Sequence, residues 1–110
     1  MQKPMALIYS EKGGGKINVY EFGLSVTWPF SRLSLYSDKL IITVLGRTIQ
    51  YPLKDIKVRR KFVIPYIGDG VLINPSHGNS LPPSIFWSLG NAKKIVSLIE
   101  QEQLKLSSQA

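Results

Sequence analysis

Arg32-Leu33-Ser34-Leu35-Tyr36-Ser37-Asp38-Lys39-Leu40-Ile41-Ile42-Thr43-Val44-Leu45-Gly46-Arg47-Thr48-Ile49-Gln50-Tyr51-Pro52 decides the fold class of this 110-residue chain. Residues 32–36 alternate apolar and polar with period two, the mark of a half-buried strand. Ser37-Asp38-Lys39 reads as a turn. Leu40 to Leu45 is rich in β-branched residues and bounded by Gly46, which predicts a central strand buried on both sides. After a Gly46-Arg47 turn, Thr48 to Tyr51 alternates again and stops at Pro52, which cannot donate to a ladder.

The same period runs outward from this meander. Upstream, Phe22, Leu24, Val26, Trp28 and Phe30 occupy every second position, while Ile17 and Val19 fall on the other parity. A bulge near Tyr20-Glu21 reconciles the two halves of one strand. Downstream, Leu53-Lys54-Asp55-Ile56 predicts a single tight turn leading into a strand over 57–63. Gly68-Asp69-Gly70 precedes a short strand, Val71-Leu72-Ile73, and Pro82-Pro83 sets an extended approach to a last strand, Ser84-Ile85-Phe86-Trp87. That makes seven strands with no helix between them. The period then changes. Ala92, Ile95, Val96, Ile99 and Leu106 lie on one stripe of an amphipathic helix, widened by Leu98, with Lys93, Lys94, Glu100 and Gln101 towards the other face. Asn91 is the expected N-cap, its side-chain oxygen accepting from an orphan N–H. Lys93 and Lys94 are electrostatically reversed for a helix N-terminus, so the helix must rely on its packed stripe.

Composition narrows the function classes. The chain carries 14 Lys and Arg against 7 Asp and Glu, a formal net charge of +7, with 44% hydrophobic residues and no cysteine. Disulfides, thiolate metal sites and cysteine nucleophiles are thereby excluded, and the chain is too apolar for a disordered tail. The apolar run near residue 5 is shorter than a signal-peptide core. Leu40 to Gly46, the longest apolar stretch, is far below the roughly 20 residues of a spanning helix. A cytoplasmic protein is expected, with attachment to the inner membrane face left open.

Seven antiparallel strands followed by one amphipathic helix resemble the pleckstrin-homology-like architecture, and the wording is similar to small bacterial PH/GRAM-like proteins. The residues that carry the resemblance are Trp28-Pro29-Phe30-Ser31-Arg32-Leu33, Gly46-Arg47, Pro52-Leu53-Lys54-Asp55-Ile56 and Pro82-Pro83-Ser84-Ile85-Phe86-Trp87. It implies a mainly β (β+α) fold: a seven-stranded antiparallel split barrel of two orthogonal sheets, capped by one C-terminal α-helix. Residues 1–15 would be a flexible N-terminal segment or an extra strand, 16–106 a single PH/GRAM-like domain, and 107–110 a frayed tail. The resemblance further implies a binding module for phosphoinositides, peptides or protein partners, and not an enzyme. Lipid-binding members carry several cations around their first hairpin loop. Here that loop reads Gly23-Leu24-Ser25-Val26-Thr27-Trp28-Pro29, with only Lys16 and Arg32 at its flanks.

The residues themselves offer little catalytic chemistry. Glu11-Lys12-Gly13-Gly14-Gly15-Lys16 fails the phosphate-loop spacing and precedes a strand, so a flexible turn is expected there. His77, the single histidine, has no acid within seven positions and reads as a solvated loop residue. Asp38, Asp55 and Asp69 each fall at a turn, where a carboxylate caps backbone N–H groups. No Gly-x-Ser-x-Gly elbow is present. No catalytic residue, metal site or cofactor is expected. Trp28, Phe30, Phe62, Phe86 and Trp87 are expected in the core, except that Phe86 and Trp87, being adjacent on a strand, must face opposite ways.

The main functional feature is Lys54, Lys57, Arg59, Arg60 and Lys61, five cations in eight residues with only Asp55 among them. On a strand, Lys57, Arg59 and Lys61 project from one face about 7 Å apart. Such a row is either an anion-binding stripe or a solvated face that protects an edge strand from pairing. The expected partners are a protein or a second copy of the chain, with an anionic membrane surface a weaker option. Nucleic acid fits poorly, because the run holds one aromatic, Phe62, and no stacking platform. The competing reading is self-association through a strand edge or helix flank, with no anionic ligand.

Overall fold

The computed structural model describes residues 7–17, 26–63, 68–76, 81–88 and 90–108. Seven antiparallel strands precede one helix: β1 (Leu7–Lys16), β2 (Val26–Tyr36), β3 (Lys39–Val44), β4 (Arg47–Pro52), β5 (Ile56–Val63), β6 (Gly68–Pro75), β7 (Ser84–Ser88) and α1 (Ala92–Ser108). A 3₁₀ turn, Leu53–Asp55, joins β4 to β5. The strands form one sheet in the order β4-β3-β2-β1-β7-β6-β5. Its outer strands do not pair with each other, so the sheet is not closed. The mainly β fold with a C-terminal helix is therefore as the alternation requires.

The element that joins the two halves differs from expectation. The stretch for which the sequence allows a flexible segment or an extra strand forms β1, in the middle of the sheet. Leu7 to Gly13 pair with β2, and Gly14 to Lys16 pair with β7. Gly13, Gly14 and Gly15 are buried strand residues, not a turn. A Cβ on Gly13 would lie 2.6 Å from Phe86 Cζ and closer still to the Trp87 carbonyl oxygen, and one on Gly15 would lie 2.7 Å from the Ile85 carbonyl oxygen. Only glycine lets β7 cross β1 at this distance. What looks like two elements upstream, a strand ending at Phe30 and another starting at Arg32, is one strand, β2. Val26 to Pro29 thus belong to β2, and the β1–β2 connection lies earlier, in 17–25.

One face of the sheet makes the core with α1. Leu33, Leu35, Leu40, Ile42, Tyr51, Val71, Ile73 and Phe86 are buried there against Ala92, Ile95 and Ile99. Val96, Leu98 and Leu106 pack on its margin, so the expected helical stripe is the packed one. The helix includes Ser107 and Ser108, within the segment expected to fray. Gln103 Nε2 ties it down by donating to the Leu53 and Ile56 carbonyls at 2.7 and 2.8 Å. Tyr51, buried among apolar neighbours, satisfies its hydroxyl through the Pro82 carbonyl at 2.5 Å and Ser84 Oγ at 2.6 Å.

Two aromatic expectations are settled, one against the sequence reading. Phe86 faces the core and Trp87 the opposite side, where it is half-buried. Phe30 is not a core residue: it is 56% exposed, on the same outward side of β2 as Arg32. The side chains of Trp28 and Phe62 lie outside the described residues. Asp69 is in β6, opposite Phe62 and Ser88, and not in a turn.

Candidate anion-binding surface

Among the described residues β5 pairs only with β6, and its side chains alternate as an outer strand requires. Ile56 is buried and Val58 half-buried against the core, while Lys57 and Arg59 are exposed on the other side. The register Lys57↔Asn74, Arg59↔Leu72 and Lys61↔Gly70 places all three positions in one row along the edge. Lys54 and Arg60 do not join it. Lys54 sits in the 3₁₀ turn and lines a shallow cleft with Ile56, Gln103, Leu106 and Ser107. Arg60 falls on the parity of Ile56 and Val58. The five-residue cluster in sequence is thus a row of three with two outliers.

Cross-strand register extends the row into a face. Arg59, Leu72, Ile85 and Lys16 follow one another across β5, β6, β7 and β1. Lys61, Gly70, Trp87 and Gly14 form the next row. Lys12 shares the parity of Gly14 and Lys16, and it pairs directly with Arg32 of β2. With strands about 4.8 Å apart, Arg59 and Lys16 stand roughly 14 Å from each other. Between them Leu72 and Ile85 are each only 7% exposed, yet neither belongs to the core cluster. Lys16 and Arg59 therefore flank a buried apolar strip. Among the described residues no ion pair engages Lys12, Lys16, Lys57 or Arg59, and Trp87 Nε1 is buried without a hydrogen-bond partner. Lys12, Lys16 and Arg32 were not legible as members of this face, because membership depends on register and not on sequence distance.

Elsewhere a hydrogen-bond network centred on Glu11 ties β1 to β7 and to the head of α1. Glu11 accepts hydrogen bonds from the Tyr9 hydroxyl, from Ser88 Oγ at 2.6 Å and from Asn91 Nδ2 at 3.0 Å. Ser88 Oγ in turn accepts from the Asn91 N–H at 2.9 Å. Asn91 therefore stands at the head of α1 as expected, with its carbonyl accepting from the Ile95 N–H at 2.9 Å, but its amide points to Glu11. The first turn of α1 holds no acid, and Glu11 brings from β1 the negative charge that a helix N-terminus favours. Burial, reinforced by Glu11, pushes the Tyr9 hydroxyl up to about 12. Among the described residues no group of three or more His, Cys, Asp or Glu could hold a metal. His77 lies outside them.

No helix among the described residues is long and apolar enough to cross a membrane. The chain matches no protein-family model, no curated protein and no solved structure.

Proposed function

We propose that the protein is a non-catalytic binding module of PH/GRAM-like architecture that meets an anionic surface or acidic partner through the outer side of β5. The observation that carries this reading is the unpaired, exposed row of Lys57 and Arg59, continued in register by Lys61. The strand order and the single C-terminal helix support the architecture. Cations near an anionic leaflet contribute about 1 kcal/mol each, so three raise affinity by roughly 100–200-fold. That suits a reversible contact, and it falls with salt as the screening length shortens. The test is co-sedimentation with phosphatidylserine-containing vesicles and binding to an acidic peptide, each across a salt series. Changing Lys57, Arg59 and Lys61 to Glu should abolish the salt-sensitive component. Unchanged binding to both would refute the proposal.

A second reading has its own support. Among the described residues β4 and β5 are outer strands, each paired on one side, and Leu104 stands 70% exposed on the flank of α1. Self-association through either would give a mass that rises with concentration and ignores salt.

A further inference from the structure

Three features meet at one tip of the sheet, on the β2–β3–β4 side and away from the β5 row. Between Gly13↔Ser31 and Gly15↔Val26, β1 advances two residues while β2 advances five, so residues 27–30 bulge out of the ladder. Bulges re-aim side chains, and here Pro29 and Phe30 are exposed. The Leu45 N–H donates to the Phe30 carbonyl at 3.2 Å, which brings the β3–β4 turn alongside. Leu45 is 52% exposed. Its φ of 47° is the sole positive value at a non-glycine among the described residues. Asn or Gly would occupy that conformation with less strain, and an exposed leucine gains nothing inside the protein to offset it. The two-residue β3–β4 turn itself requires positive φ at Leu45 and Gly46, so it is the choice of an exposed leucine at that place, and not the backbone, that points outward.

We propose that Phe30 and Leu45 form a wedge that inserts into the interfacial layer of a bilayer containing anionic lipid. The charges around the tip favour this occupant. Arg47 follows the turn directly, and Arg32 shares the side of β2 that carries Phe30, opposite Lys12. All three are exposed. From residue 12 to residue 37 the sequence holds one acid, Glu21. The size of the patch argues against a protein. Two apolar side chains and a proline fall far short of the roughly 800 Å² per partner of a stable interface. A bilayer accepts isolated projecting side chains, because each apolar area leaves water independently. Cations beside the apolar tip then meet the headgroups.

Leu45→Asn is the informative variant, since it removes the apolar group while relieving the backbone. Its melting temperature should equal or exceed that of the wild type. Its affinity for vesicles of phosphatidylcholine and phosphatidylserine should fall about fivefold, as should that of Phe30→Ser, and the double variant should fall about 25-fold. The absence of cysteine permits a single environment-sensitive fluorophore at Leu45→Cys, which should shift to the blue on vesicles while one at Gln50→Cys does not. Wild-type affinity in the double variant, or no spectral shift at Leu45→Cys, would overturn the wedge. So would loss of a concentration-dependent dimer in these variants, which would assign the tip to a second copy. The wedge and the β5 row fail separately. Vesicle binding lost only in the Lys57, Arg59 and Lys61 to Glu variant upholds the row and overturns the wedge, and the converse upholds the wedge alone.

Discussion

Gly13→Ala tests the crossing on which the two halves of the sheet depend. In an ordinary strand this change stabilises by about 0.4–1 kcal/mol, because alanine narrows the unfolded ensemble. Here the new Cβ would lie 2.6 Å from Phe86 Cζ and 2.9 Å from Phe86 Cε1, with the Trp87 carbonyl oxygen nearer still. Carbon atoms in contact prefer about 3.5–4.0 Å, so β7 must retreat by roughly an ångström or the Phe86 ring must leave its site. Phe86 is fully buried, and the carbonyl belongs to a backbone held by Gly14↔Trp87 and Gly15↔Phe86. Overpacking of this kind costs about 1–3 kcal/mol, and one weakened ladder bond adds about 1 kcal/mol. After the entropic gain the net loss is about 2 kcal/mol, a large share of the 5–15 kcal/mol typical of a domain. With a urea slope of roughly 1.5 kcal/mol/M, the unfolding midpoint falls by about 1.5 M. Gly46→Ala is the control: nothing lies within 4 Å of its Cβ, and only its φ of +82° resists the change, at a cost of about 1 kcal/mol. A Gly13→Ala midpoint equal to or above the wild type would refute the crossing, and with it the place of β1 in the sheet.

Two further outcomes follow from the packing. Burial pushes the Tyr51 hydroxyl from 10.0 up to about 12, with the Ser84 hydrogen bond partly opposing it. The folded state thus holds that proton more tightly than the unfolded chain, so stability is level below pH 10 and declines as pH rises through about 12. In Tyr51→Phe the alkaline decline measured by urea unfolding should be shallower, and an identical profile would contradict the assignment. Gln103→Ala leaves the Leu53 and Ile56 carbonyls without their donor, which should cost about 1–2 kcal/mol. Amide exchange should then rise first in the last turns of α1; uniform acceleration across the sheet would argue that the tie is not local.

The parts of the fold that were legible are those fixed by local pattern. The β3–β4 hairpin follows from alternation up to Pro52, and α1 from a stripe whose members are all packed. β1 was not legible, because glycines carry no hydrophobic pattern and the reason for them is tertiary: the approach of Phe86 and Trp87. The strand break assumed after Phe30 has a related cause. A bulge conserves strand identity while shifting parity, and a one-dimensional period cannot separate it from an end. Leu45 reads as a strand residue by its side chain, yet it lies in the turn, one position before the expected Gly46-Arg47. The cation cluster was found by proximity in sequence, which gathered Lys54 and Arg60 that register sends elsewhere. It omitted Lys12, Lys16 and Arg32, which register brings in.

Stability and charge layout therefore share one cause. Lys12 and Lys16 join the charged side of the sheet because β1 lies between β2 and β7, with its even-numbered positions on the side away from the core. The buried glycines that admit β7 lie between Lys12 and Lys16, so the close crossing and the outward cations belong to the same five residues. Moving that segment off the sheet would leave the β5 row intact, but it would remove the second flank of the apolar strip formed by Leu72, Ile85 and Trp87. Arg32 would lose its β1 neighbour as well. An anionic partner spanning both flanks must bridge about 14 Å, more than the roughly 8 Å over which charges in physiological salt reinforce each other. The two flanks then act as separate contacts on one rigid support. Binding strength should depend on how many of them a partner can reach at once, and not on the total charge of the chain.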